Sequence, residues 1–408
     1  MAALQPRTSR GMSGLSAPSS FTWLAYSERE HQRAQNLAST LSERETRDEL
    51  GIGSIRDAIA DRLFPGTSTI QSRARYFLFL PWLFQELERD QKGRGRERSE
   101  RAERELIGAL RGSDDTRGLI GGQTAMVERL PSSVYWGGLG TFGIRRVSQS
   151  LSAYYRWLDD PRRRARVARD DDGVAIEGVA QTWWDRVPPA PPGFPEVAEF
   201  AMSSAESTYL TAKAAAATPY PTMLEFLFAD GDPGATAAFP WEHPQRSAMQ
   251  EVIRDDLEVA EHFSLIHHGA ALLYNQLIAE AREDEVRTDR YRAHVAKWQE
   301  GSSPAIETFD LRRVWQLAPK ASAGAKQFVH EWQRTIRAAD GLSISDHSAA
   351  RELVTAREIR VKGRQRSRIA TPFRVDWQGV SGAGRLDYRW GSSVLRIALD
   401  VAEGRSGA

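Results

Sequence analysis

The feature that most constrains this chain is a long apolar stripe near its middle. Between Val252 and Ala281, the residues Ile253, Leu257, Ala260, Phe263, Ile266, Ala270, Leu273 and Leu277 recur at threes and fours. That is the period of one helix face, so the segment is predicted as a long amphipathic helix packed against a core. It anchors a helical domain over about 201–340. The 408 residues are too many for one ordinary core, which implies roughly two or three domains.

Other stretches read as helices too. An amphipathic helix is expected over about Glu28–Leu41. Ser54 and Asp57 have the spacing of a capping box and would open a short helix that Phe64-Pro65-Gly66 ends. Ser68 and Gln71 repeat that spacing ahead of a long helix, Thr69 to about Arg89. Tyr76, Phe79 and Trp82 make its middle apolar nearly all round, so it should be central, with a kink at Pro81. The charged run from Gln91 to Glu105 reads as a solvated turn and helix start.

The organisation expected is a disordered tail at 1–20, a helical domain at 21–158, a linker or insertion at 159–200, the helical domain at 201–340, and a basic helix-plus-strand part at 341–408. The insertion carries Arg162-Arg163-Arg164, Asp170-Asp171-Asp172 and four prolines between Pro188 and Pro192. In the last part, Ala349 to about Ile359 is expected as a helix. Arg385–Trp390 alternates polar and apolar residues like a half-buried strand. The fold class expected is mainly α, with a small α+β, winged-helix-like C-terminal part.

Several blocks together resemble a bacterial family of unknown function associated with anti-phage defence islands. They are Trp23–Glu28 (WLAYSE), Thr46–Trp82, Ser132–Ile144 (SSVYWGGLGTFGI), His267–Glu280 (HHGAALLYNQLIAE) and Gly382–Trp390 (GAGRLDYRW). The resemblance implies kinship over most of the chain and a setting in defence. It carries over no catalytic residues.

The chemistry the sequence excludes is considerable. With no cysteine there is no disulfide, thiol nucleophile or Cys-held metal centre. The phosphate-binding loop, the H-E-x-x-H zinc motif and the G-x-S-x-G nucleophile elbow are all missing. Glu258 and His262 share a helix face, but no matching partner helix is evident, so neither metal nor cofactor is expected. The apolar run Tyr76–Phe84 is too short for a bilayer, and a cytoplasmic location without membrane contact is expected.

What remains points to binding. Net charge is +1, so any electrostatic partner must be met by a local patch. From Arg351 to Arg374 there are eight basic residues against Glu352 and Glu358, a local charge of 8 − 2 = +6. Arg360, Lys362, Arg364, Arg366 and Arg368, with Arg385 and Arg389 of the strand, would contact phosphates. Tyr388 and Trp390 would either stack on a base or belong to the core. Ser54–Arg75 has the spacing of a helix-turn-helix, which would place Arg73 and Arg75 at the start of a recognition helix. The expected function is a non-enzymatic component of a bacterial anti-phage system. It would bind nucleic acid, with duplex DNA the favoured form, or act as adaptor for other defence proteins such as a helicase or nuclease. Two alternatives stand beside it. Arg287 and His294, six residues apart, match the Arg-x(4–6)-His spacing of small helical ribonucleases. A pure scaffold would instead dock a partner protein through Trp183 and Trp184.

Overall fold

The computed structural model describes residues 48–89, 93–121, 129–160, 183–230, 232–339 and 341–407. The tail at 1–20, the helix expected over Glu28–Leu41 and the charge runs at 162–172 lie outside the described residues. The described chain is mainly helical, and no strand occurs among the described residues. The first helices are α1 (Gly53–Leu63), α2 (Tyr76–Arg89), α3 (Gly95–Arg111), α4 (Pro131–Thr141) and α5 (Leu151–Asp159). There follow α6 (Ser204–Ala215), α7 (Met223–Asp230), α8 (Glu251–Ala281) and α9 (Glu285–Thr308). The last are α10 (Arg312–Leu317), α11 (Ala323–Ala339), α12 (Ser348–Lys362) and α13 (Leu395–Ser406).

The predicted long helix is α8, and it is the spine. Helices α1, α9, α10, α11 and α12 pack around it. Around α2 lie α3 and α4, while α13 closes on α6 and α7. One continuous cluster of buried apolar side chains, from Leu50 to Val401, joins these neighbourhoods.

Local chemistry explains several helix starts. Asp48, not Ser54, caps α1: its carboxylate accepts the Ile52 and Gly53 N–H groups at 2.5 and 2.8 Å. Helix α2 begins at Tyr76, seven residues later than expected. The Tyr135 hydroxyl accepts the N–H groups of Ser72 and Arg73, and Asp400 accepts that of Ala74. These bonds hold the preceding backbone in turns, so Ser68–Arg75 is not a recognition helix. Pro81 lies inside α2. The charged helix α3 carries exposed Arg96–Glu100 and Arg101–Glu105 pairs one turn apart, as a solvated face should.

The C-terminal strand is also absent. Tyr388 and Arg389 have φ of +53° and +74°, the left-handed region, which a strand does not tolerate. The chain turns there and runs through a π-helical turn, Trp390–Val394, into α13. Tyr388 and Trp390 are core: the Tyr388 hydroxyl donates to Ala260 O and Trp390 Nε1 to Ala237 O. No wing is built. Trp183 and Trp184 are buried as well, packed with Phe84, Trp136 and Tyr154, so neither is free to dock a partner.

Gly269 on α8 lets the Trp298 ring of α9 lie directly against the helix backbone. A Cβ there would stand 2.1 Å from a ring carbon of Trp298, whose Nε1 is fixed by a bond to Leu265 O. Gly269→Ala gains up to about 1 kcal/mol of helix preference but forces Trp298 outward, at about 1–3 kcal/mol. A lower denaturation midpoint is expected in urea melts; an unchanged or raised midpoint would show that Trp298 moves freely.

Candidate functional site

One cleft of about 840 Å³ is lined by Arg287, Arg290, Lys297 and Arg385 together with His268 and His294. Its first wall is α9, where Arg287, Arg290, His294 and Lys297 follow one another at steps of three, four and three. That spacing puts all four on one helix face. The floor is α8, through Leu265, His268 and Leu272. The second wall is the irregular segment 378–385, ending in Arg385. No Asp or Glu lines the cleft.

The second wall is held by specific bonds. Asn275 of α8 grips Ser381 on both backbone groups, accepting its N–H at 2.7 Å and donating to its carbonyl at 2.9 Å. The Tyr291 hydroxyl donates to Gly379 O at 2.7 Å, and Arg290 Nη2 to the same oxygen at 3.3 Å. Gly379 has φ +94°, a left-handed conformation that favours glycine, and a Cβ there would displace the Arg287 side chain.

The polar side chains of the cleft differ in how free they are. Arg290, His294 and Lys297 are exposed. Arg287 is half-exposed and pairs with Asp284, which also caps α9. Such an open pair contributes little and yields easily to a stronger anion. Arg385 lies over the stacked rings of Phe239 and Trp241, 4.8 Å from each centroid. Its Nε and Nη2 have no hydrogen-bond partner among the described residues. Burial lowers the Arg385 pKa, against the pull of Glu261 and Glu242. Burial also pushes His268 down to about 4, helped by Arg385 and His294 nearby.

The expected site residues scatter. Arg73 and Arg75 are interior. Arg73 pairs with Asp400 at 3.0 Å and Asp115 at 2.8 Å, and Arg75 pairs with Glu206 at 2.8 Å. Neither reaches a groove-reading surface. Lys362 and Arg368 both pair with the buried Glu49, and Arg368 also bonds Ser381 Oγ. Burial raises the Glu49 pKa, but the two cations outweigh it and hold the carboxyl below its usual range. Arg389 pairs with Asp61. Arg360, Arg364 and Arg366 are exposed and form no ion pair among the described residues. Arg385, by contrast, joins Arg287 and His294 at the cleft.

Arg290, Lys297 and His268 belong to the cleft but were not singled out from sequence as site residues. A signal existed, since cations at threes and fours along α9 can be read directly. The Glu258–His262 pair is accounted for structurally: Glu258 pairs with Arg313, and His262 stacks on Phe309. Among the described residues, no group of three His, Asp or Glu is placed to hold a metal ion. No described helix is long and apolar enough to cross a membrane.

A family of unknown function, DUF6361, is matched over residues 18–403. No curated protein and no solved structure matches the chain.

His268 should stay neutral down to about pH 5, since its folded pKa lies below the ordinary value of 6.5. The unfolded chain therefore binds the extra proton first, and this residue costs stability as pH falls from about 6.5 to 4. Arg385→Gln removes one repelling charge and should move the His268 titration upward in histidine-resolved NMR. An unmoved titration would separate Arg385 from His268 electrostatically.

Proposed function

The chain belongs to that family of unknown function, and we propose that it binds nucleic acid through phosphate contacts in the α9 cleft. The observation that carries this reading is the cleft wall itself: Arg287, Arg290, His294, Lys297 and Arg385 converge on one cavity without a lining carboxylate. The charges of Arg290, Lys297 and Arg385 repel each other, with Arg287 offset by its open pair to Asp284, and an anion that enters relieves the repulsion. Phosphate contacts of this kind position a ligand without reading its sequence. The exposed Arg360 in the last turn of α12, with Arg364 and Arg366 on the turn after it, offers a second, outer set of contacts. The defence setting implied by the sequence resemblance gives such a protein a use, as the nucleic-acid-holding partner of a helicase or nuclease. A non-enzymatic role is the simplest one that fits.

A second reading has one observation in its favour. Arg287 and His294, the pair with ribonuclease spacing, line the same cleft. An arginine there would hold a phosphate and a histidine would move a proton.

Fluorescence anisotropy across a salt series is the first test. Affinity should fall steeply as salt rises. The triple variant Arg287→Glu, Arg290→Glu, Lys297→Glu should lose at least about tenfold in affinity and show a flatter salt slope. Wild-type affinity in that variant would remove the cleft from the reading. Incubation with labelled RNA separates the two readings: cleavage that disappears in His294→Ala supports the enzyme, and intact RNA supports the binder.

A further inference from the structure

We propose that the α9 cleft takes single-stranded nucleic acid, with one unstacked base on its apolar floor and the neighbouring phosphates on Arg287, Arg290 and Lys297. This rests on the nucleic-acid reading above and narrows it to a ligand class.

Shape is the first argument. A duplex is read by convex elements, a helix or a ribbon, that enter its grooves. The site here is concave, about 840 Å³, a size that suits a ligand of small-molecule dimensions and not the side of a duplex. Neither convex reader expected from sequence is found among the described residues: Tyr388 and Trp390 are core and the backbone turns at Tyr388, and Ser68–Arg75 runs in turns instead of opening a recognition helix.

The distribution of polarity is the second argument. The cations run along one wall, and from Arg287 to Lys297 the helix rises about 15 Å. That is room for a run of phosphates, more than a single phosphate group needs. The floor is uncharged: Leu265 and Leu272 lie beside His268, which burial keeps neutral, and Val380 of the second wall adds aliphatic surface. A base and its flanking phosphates have this same division, one apolar face and a charged edge. Arg385 adds a planar group fixed over two aromatic rings, and unstacked bases lie on guanidinium planes of this kind. Within a duplex the bases are paired and stacked, so none could reach the floor.

The test uses the full chain and a fluorescein-labelled oligonucleotide of mixed sequence, about 12 nucleotides long, within the range of known single-strand site sizes. It is offered as single-stranded DNA, as single-stranded RNA, and annealed as a blunt duplex, at low salt. A steric variant accompanies the wild type. Gly384 lines the cleft, and a Cβ there meets nothing within 4 Å, so the position accepts a side chain and Gly384→Trp adds bulk at the cleft without changing charge. Expected are single-strand binding, as DNA, RNA or both, at least about tenfold tighter than duplex binding, and an equal or larger loss in Gly384→Trp. The salt slope should be no steeper than about −2, at about −0.7 per phosphate for the three cations that meet phosphates. Equal affinity for strand and duplex, or full strand affinity in Gly384→Trp, overturns the proposal. If the triple charge reversal still abolishes binding in that case, the broader nucleic-acid reading stands. Absence of binding to all three probes at low salt overturns both. A free nucleoside triphosphate that competes as strongly as the strand also overturns the strand assignment, leaving a nucleotide pocket.

Discussion

The structure depends on burying α8 from every side. From Gly269 to Ala279 each residue of that helix is buried, and three of them carry polar side chains. A buried polar group without a partner costs free energy, so each of the three has to recruit one. The Tyr274 hydroxyl takes Glu49, Glu358 and Lys362 as partners. Gln276 bonds the Ser345 backbone and accepts from its hydroxyl, just ahead of α12. Asn275 pins Ser381, and with it the second wall of the cleft. The demand for satisfaction inside one helix therefore sets where the N-terminal turn, α12 and the cleft wall must lie.

Buried charges fix the long-range connections. Arg73 and Asp400 are 327 residues apart and meet where one Nε–H of the arginine is shared by both carboxylate oxygens, with Asp400 fully buried. Burial raises the Asp400 pKa while Arg73 and Arg396 pull against it. Such a pair adds little net stability over an apolar one, but removing one partner strands a charge in the core at about 3–5 kcal/mol. Its effect is on specificity: only one docking of α13 brings Asp400 to both Arg73 and the Ala74 N–H. Arg75 with Glu206 and Arg357 on the carbonyls of Leu50, Gly51 and Gly324 act in the same way elsewhere.

This use of arginine inside the fold bears directly on where function resides. Local charge at 351–374 sums to +6 in sequence, yet Arg351, Arg357, Lys362 and Arg368 are tied to carboxylates or backbone oxygens. The residues that stay free in that stretch are a smaller set than its charge implies. In α9 the reverse holds. No one segment there is strongly basic, but Arg385 comes across from 88 residues beyond Lys297 and completes the cluster.

The sequence by itself determined the secondary structure of the spine and the helical class of the fold. Periodicity is a local property, and the apolar stripe at 252–281 needs no partner to be seen. It also made Arg287, His294 and Arg385 visible as separate candidates. Only the tertiary structure decided which arginines are free, because each one's partner is far along the chain: Asp400 for Arg73, Glu206 for Arg75, Glu49 for Arg368. It decided against the strand at Arg385–Trp390, where alternation is real but the burial of Tyr388 and Trp390 against Ala260 and Ala237 turns the backbone. It made the cleft as well, since a cavity exists only between elements and charge in a sequence has no direction until packing gives it one.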